Sequence, residues 1–181
     1  MAKICTNEKT ASRQRWIENG LLELMQQHRF EKITVTELCR HLQLSRRSFY
    51  RYFEDMEDVL DSLMNRTFQE MAPLNTPFSI EELTSSYDFW LRRKRLLSAL
   101  AHSEMYGKIV EYTLKYVDEE ALKRYLYADV MELDISHEIN LFVVSGLASL
   151  LVSWYTEGFR KTPEEMARIA YRMLSVPMLR E

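Results

Sequence analysis

The chain has 181 residues, enough for one large domain or for a small domain joined to a mid-sized one. A hydrophobic content of 46%, with eight Phe, ten Tyr and three Trp, fills a sizeable core and excludes disorder as the dominant state. Four Gly and four Pro are too few to punctuate a sandwich or barrel of short strands, and a net charge of −3 taken alone argues against a polyanion binder.

The distribution of that charge reverses the last inference. Residues 1–53 carry ten Lys/Arg against five Asp/Glu, whereas residues 54–181 carry fourteen against twenty-two. A basic head on an acidic body confines polyanion binding to one end of the chain. The two cysteines, Cys5 and Cys39, make neither a disulfide framework nor a zinc site, and Cys39 between Leu38 and Leu42 reads as a small buried residue. The N-terminus shows no apolar signal segment. The longest apolar run, 141–155, is broken by Ser145, Gly146, Ser149 and Ser153 and falls short of the roughly 20 residues of a membrane span. The expectation is a cytoplasmic chain with no membrane partner, metal or cofactor.

In chain order, Ile17, Leu21, Leu24, Met25 and His28 recur at helical spacing and predict a first amphipathic helix over residues 7–28. Thr34 caps a short second helix carrying Val35, Leu38, Cys39 and Leu42, and Gln43-Leu44 forms a tight turn. Ser45 caps a third helix over 46–53, and a fourth begins near Met56. Short helix, tight turn and capped helix make a helix-turn-helix. The stretch 73–77 is the clearest linker, because each of its prolines discourages helix in the residue before it. Ser79 and Glu82 fit a capping box at the head of a long amphipathic helix over 80–105, which contains the basic cluster Arg92, Arg93, Lys94 and Arg95. Further helices are predicted over 106–117 and 119–130. Ser136 opens a long apolar helix to Thr156, ended by Gly158. Thr162-Pro163-Glu164-Glu165 combines a cap, a first-turn proline and a second capping box for a last helix to about Ser175, stopped by Pro177. The fold class is all-α, with an N-terminal three-helix helix-turn-helix domain in residues 1–55. A C-terminal helical domain follows in 56–181.

Phe49 and Phe53 lie one turn apart on the third helix and face the first two helices. At 100° per residue, Arg51 and Arg47 fall opposite them with Ser48 alongside, Tyr50 and Tyr52 take the flanks, and Arg46 sits in the first turn. Arg pairs with guanine bidentately in a major groove. Tyr hydroxyls and uncapped N–H groups near Ser45 suit phosphate oxygens, which set position without reading sequence. A solvated charged face is the alternative for an isolated arginine cluster. The preceding short helix and turn favour double-stranded DNA.

The stretch Thr34-Val-Thr-Glu-Leu-Cys-Arg-His-Leu-Gln-Leu-Ser-Arg-Arg-Ser-Phe-Tyr-Arg-Tyr-Phe53 resembles the tetracycline-repressor (TetR) family of bacterial regulators. The resemblance extends back through Ile17, Leu24 and Phe30 and forward to Glu57 and Leu60. It implies that Thr34 and Thr36 lie at the DNA surface, with Thr36 in contact from the second helix. Arg46, Arg47 and Ser48 then face bases, Tyr50 and Tyr52 grip phosphate, and Arg51 contacts either. Two positions depart from the family pattern. Gln43 stands where a turn glycine is usual, and Met56, followed by Glu57 and Asp58, stands where a phosphate-contacting lysine is usual.

Beyond residue 65 the resemblance fades and the residues speak for themselves. From 139 to 155 nearly every position that is not small is apolar, and Ser145, Gly146, Ala148 and Ser149 permit close approach of a second helix. Two copies of this helix and of the last one can form an intersubunit four-helix bundle through Phe142, Ser145, Gly146, Ser149, Met166, Ile169 and Met173. The competing expectation is a helix buried within one subunit. Tyr87, Trp90, Met105, Tyr106, Tyr112 and Trp154, with His102 as a polar point, either line a pocket for a small-molecule effector or simply fill a core. No histidine combines with acids or cysteines at metal spacing, and no glycine loop cradles a phosphate, so an enzyme is not expected. The function read from the sequence is a ligand-responsive repressor that binds a near-palindromic operator as a homodimer. The alternative is a co-activator or protein scaffold on the same fold, with DNA binding secondary or lost.

Overall fold

A computed structural model describes residues 8–71, 79–116 and 136–175, and every regular element among them is a helix. In chain order these are α1 (Glu8–Leu24), a single 3₁₀ turn (Phe30–Lys32), α2 (Val35–His41), α3 (Arg46–Phe49), α4 (Met56–Met71), α5 (Ile80–Arg92) and α6 (Lys94–His102). They are followed by α7 (Gly107–Tyr116), α8 (Ser136–Thr156) and α9 (Pro163–Ser175). The expected linker at 73–77, the helix over 119–130 and the stop at Pro177 lie outside the described residues.

The chain divides into two compact units. The first comprises Met1–Thr67 together with Ser98–Met105, and the second Phe68–Leu97 with Tyr106–Glu181. The first part of α4, grouped by sequence with the body, packs with the helix-turn-helix instead.

In the first unit Ile17, Leu21 and Met25 of the α1 segment, Leu38 of α2, Phe49 of α3 and Leu60 and Met64 of α4 have no exposed surface. Gly20 lies hard against the end of α2, where a Cβ would come within 2.6 Å of Leu42 Cδ2. Glu18 is the polar centre of the unit. It is 2% exposed, its carboxylate accepts from Ser62 Oγ at 2.7 Å and from Arg66 Nε at 2.9 Å, and it so ties α1 to α4. Burial pushes the Cys39 thiol up, which keeps it protonated and in keeping with a packing role.

Helix ends follow the sequence signals closely. Thr34 Oγ1 accepts from Glu37 N at 3.2 Å and Ser45 Oγ from Ser48 N at 3.1 Å. Both expected capping boxes form, Ser79 with Glu82 and Thr162 with Glu165. Helix α2 ends in a Schellman closure, with Leu44 N donating to Cys39 O at 2.8 Å and Gln43 at φ 51°. Gln43 therefore adopts the left-handed conformation without glycine's freedom. The same closure ends α6, where Glu104 takes φ 57°, and α8, where Gly158 takes φ 74°.

Two expected helices differ. The span 80–105 is broken at Arg93 (φ −108°, ψ 26°), and no proline or glycine marks the break. Like charges at Arg92 and Arg95, three residues apart, weaken a continuous helix there. Arg93 is drawn aside, with its guanidinium 3.6 Å over the Phe89 ring and paired with Glu70. The third helix is also shorter than expected. After Phe49 it tightens, with Arg51 N bonding Ser48 O and Tyr52 N bonding Phe49 O three residues back, before Phe53 N closes on Phe49 O.

In the second unit α5 packs on α9 and α7 on α8. Phe68 stacks with Tyr112 and Tyr116 at centroid distances of 5.9 and 6.4 Å, and meets Trp90 edge-on at 5.7 Å. Trp154 is 1% exposed and packs edge-on with Tyr87 and Phe159, and its indole N–H donates to Lys161 O at 2.8 Å.

Candidate nucleic-acid interface

The recognition segment is built outward from its aromatic anchors. Phe49 is wholly buried and Phe53 is 2% exposed, with ring centroids 6.1 Å apart, as the sequence requires of residues facing the first two helices. Against this fixed back, Thr36, Arg46, Arg47, Tyr50 and Arg51 are exposed, while Ser48 and Tyr52 are half-buried. Thr34 is exposed and caps α2.

The three arginines are not equivalent. Arg46 Nη2 donates to Tyr50 Oη at 3.2 Å, and its guanidinium carbon lies 5.9 Å from the Tyr50 ring centroid. Among the described residues, the side chains of Arg47 and Arg51 make no hydrogen bond or ion pair. Their five N–H donors remain available for bidentate recognition. The expectation of open N–H groups near Ser45 needs correction at one position. Ser48 N is satisfied by Ser45 Oγ, which also donates to Ser48 Oγ at 2.9 Å.

At the start of α4, where the sequence substitutes Met56 for a cation, the structure builds an acidic cap. Asp58 N donates to Asp55 Oδ1 at 2.8 Å, Glu54 N donates to Asp58 Oδ2 at 3.0 Å, and Glu54, Asp55 and Glu57 are exposed. Exposed carboxylates repel phosphate. Sequence reasoning noted the missing lysine but not this cap, whose signal is the Asp-x-x-Asp spacing at 55 and 58.

The other expected sites separate. Tyr87, Trp90, Tyr112 and Trp154 are buried in the second unit and Tyr106 is half-buried there, whereas exposed His102 and half-buried Met105 belong to the first unit. Burial alone raises Tyr87 to about 12, and its hydroxyl has no hydrogen-bond partner. The side-chain amide of Asn140, 1% exposed on α8, is likewise unpartnered. Of the expected dimer residues, Phe142 is 62% and Met173 54% exposed. Gly146 and Ser149 are exposed and Ser145 and Ile169 half-buried. Met166 is 4% exposed, within its own unit, and Leu141, at 42%, joins the exposed set unforeseen. No helix among the described residues is long and apolar enough to cross a membrane.

A capped two-helix turn that presents arginines on a helix anchored by buried phenylalanines has the geometry of a helix-turn-helix. Residues 19–63 match the family model of bacterial regulatory proteins, tetR family. That match is confined to the helix-turn-helix segment, which it likens to the DNA-binding segment of that family. A curated relative, the HTH-type dhaKLM operon transcriptional activator DhaS of Lactococcus lactis subsp. lactis (strain IL1403), is 25% identical over 71 residues. That match spans 39% of this chain and 38% of DhaS. Among solved structures, a TetR transcriptional regulator from Streptococcus agalactiae 2603V superposes with TM-score 0.71 at 18% identity, covering 92% of this chain and 95% of that one. The fatty acid degradation regulator FadR from Bacillus halodurans superposes with TM-score 0.68 at 16% identity, covering 98% and 100%. At these identities the structures establish the fold alone.

Proposed function

We propose that this protein regulates transcription in the cytoplasm by binding a near-palindromic duplex as a homodimer. Arg47 and Arg51 read bases, while Thr36, Ser48 and Tyr52 assist from the same surface. The observation that carries this reading is the pair of exposed, partner-free arginines on a helix whose opposite face is locked by Phe49 and Phe53. Dimerisation is supported by the exposed apolar residues Leu141, Phe142 and Met173 on α8 and α9, beside the small residues Gly146 and Ser149. Met166 plays no part in that contact, being enclosed in its own unit.

The test is binding of the full chain to a pool of random duplexes, read by fluorescence anisotropy over a range of salt. Selective, steeply salt-dependent binding supports the reading. Salt-independent or absent binding favours the scaffold alternative. Phe142→Arg should shift the chain toward monomer in sedimentation and weaken binding to paired half-sites far more than to a single one. Unchanged sedimentation would place the dimer contact elsewhere.

Repression is the default consequence of occupying a promoter. Activation is the second reading, favoured by the likeness of 71 residues to DhaS, whose name is that of an activator. An effector is supported by one feature of the second unit. The Tyr87 hydroxyl lacks a partner inside an aromatic cluster and suits a hydrogen-bond acceptor on an otherwise apolar ligand. A ligand that alters duplex affinity in wild type but not in Tyr87→Phe would support that assignment, and equal responses would remove it.

A further inference from the structure

We propose that Arg46 and Tyr50 act as one phosphate-gripping pair, leaving base recognition on this helix to Arg47 and Arg51. The inference rests on the DNA-binding reading above and divides the arginines into two roles.

The geometry is a chain of support running from the core to the guanidinium. Phe49 is wholly buried, and the Tyr50 ring stands edge-on to it at 5.4 Å and 84°. Arg46, one turn earlier, donates to Tyr50 Oη at 3.2 Å and lies against the same ring. Its backbone sits in the first turn of a helix capped by Ser45. Helical geometry of about 100° per residue puts Arg51 opposite the Phe49–Phe53 midpoint, and places Arg46 and Tyr50 roughly 100–140° around from that front. On an element lying in a major groove, that flank meets the sugar-phosphate wall rather than the base edges.

The hydrogen bonding suits one phosphate. Having accepted from Arg46, the Tyr50 hydroxyl keeps its own proton to donate outward, and Arg46 retains four further N–H donors. Two adjacent donors, one of them charged, can therefore converge on phosphate oxygens with little side-chain entropy left to lose. Arg47 and Arg51 have no such tether and keep the reach that base readout needs. The acidic cap at Asp55 and Asp58 strengthens the division. Exposed Glu54, Asp55 and Glu57 disfavour a phosphate contact at the start of α4, so the grip falls to the opposite end of the recognition segment.

The test is a double-mutant cycle on the full chain with Arg46→Ala, Tyr50→Phe and the double variant, and Arg47→Ala as contrast. The probes are the best-bound duplex recovered from the random pool and a scrambled duplex of equal length. Arg46→Ala should weaken both duplexes by the same factor and flatten the log–log salt slope by about 1, with the selected base preference unchanged. Tyr50→Phe should cost much less in the Arg46→Ala background than alone, a coupling of at least about 3-fold. Arg47→Ala should instead relax preference at one position per half-site. Additive losses, or a changed base preference with Arg46→Ala, would overturn the pair. Failure of wild type to bind any duplex in a salt-dependent way would be a distinct result, removing the DNA reading itself. All three sites are on the surface, so unchanged melting curves confirm that each variant is folded.

Discussion

The two units use their aromatic residues in opposite ways. In the first, Phe49 and Phe53 turn inward and hold a short helix so that its arginines point out. In the second, Phe68, Trp90, Tyr112 and Tyr116 pack on one another, and Tyr87, Trp154 and Phe159 form a second such set. An aromatic pair spaced one turn apart can orient a surface. Aromatic residues drawn from several helices bury area, and what else they do depends on the gaps between them.

The sharpest way to separate the units is to hollow each in turn. Phe49→Ala should cost about 3–5 kcal/mol, with the loss of amide protection confined to the first unit. Trp154→Ala should cost a similar amount, about 3–5 kcal/mol, and loosen α8 and α9 instead. Hydrogen exchange followed by mass spectrometry decides this, and equal loosening of both units by either variant would show a single cooperative structure.

Charge gives the next contrast. Glu18→Gln should destabilise by about 2 kcal/mol, since it removes the buried carboxylate that faces Ser62 and Arg66; Arg66 is partly solvated, which moderates the loss. Glu164→Gln removes an exposed i,i+4 partner of Arg168 in the second unit and should change stability by less than about 0.5 kcal/mol. Urea denaturation that found the two equal would contradict the central role of Glu18.

A smaller effect, opposite in sign, is expected at Tyr87. Its buried hydroxyl has no partner, so Tyr87→Phe should leave stability at pH 7 unchanged or raise it by up to about 1 kcal/mol. The folded state holds the phenol at about 12, above its ordinary value near 10. The neutral form is therefore favoured on folding, and this contribution is present below pH 10 and lost as pH climbs toward 12. Wild type should lose more stability than Tyr87→Phe across that window, and parallel curves would refute the assignment. The smallest change belongs to the turn. Gln43→Gly relieves a left-handed backbone at the cost of unfolded-state freedom and should gain less than about 1 kcal/mol in thermal melts.

The first unit was legible because its determinants are local. Caps at Thr34 and Ser45, the turn at Gln43-Leu44 and the Phe49–Phe53 pair all lie within twenty residues and each acts through near neighbours. What escaped the sequence reading depends on partners far along the chain or on side-chain direction. Arg46 looked equivalent to Arg47 until its bond to Tyr50 was visible. The break at Arg93 has no glycine or proline to announce it and coincides with contacts to Phe89 and Glu70. Met166 has the spacing of a dimer residue, but α5 packs on its helix and Met166 is enclosed. His102 was grouped with the aromatic cluster because it lies close in sequence to Met105 and Tyr106. Its unit proves to be the other one.

The membership of Ser98–Met105 in the first unit bears on how the protein is made. Ser103 Oγ accepts from Phe30 N at 3.0 Å, and Glu104 pairs with Arg29 at 2.8 Å, contacts that reach back more than seventy residues. A nascent chain that has exposed only its first 67 residues lacks this closing segment. At roughly 5–20 residues per second, the ribosome needs about 2–8 s more to deliver it. Until then the buried Phe30 amide must be hydrated or unsatisfied. A chaperone that binds early chains would find its substrate in that interval, and a gene fragment cut near residue 72 would prolong it without end.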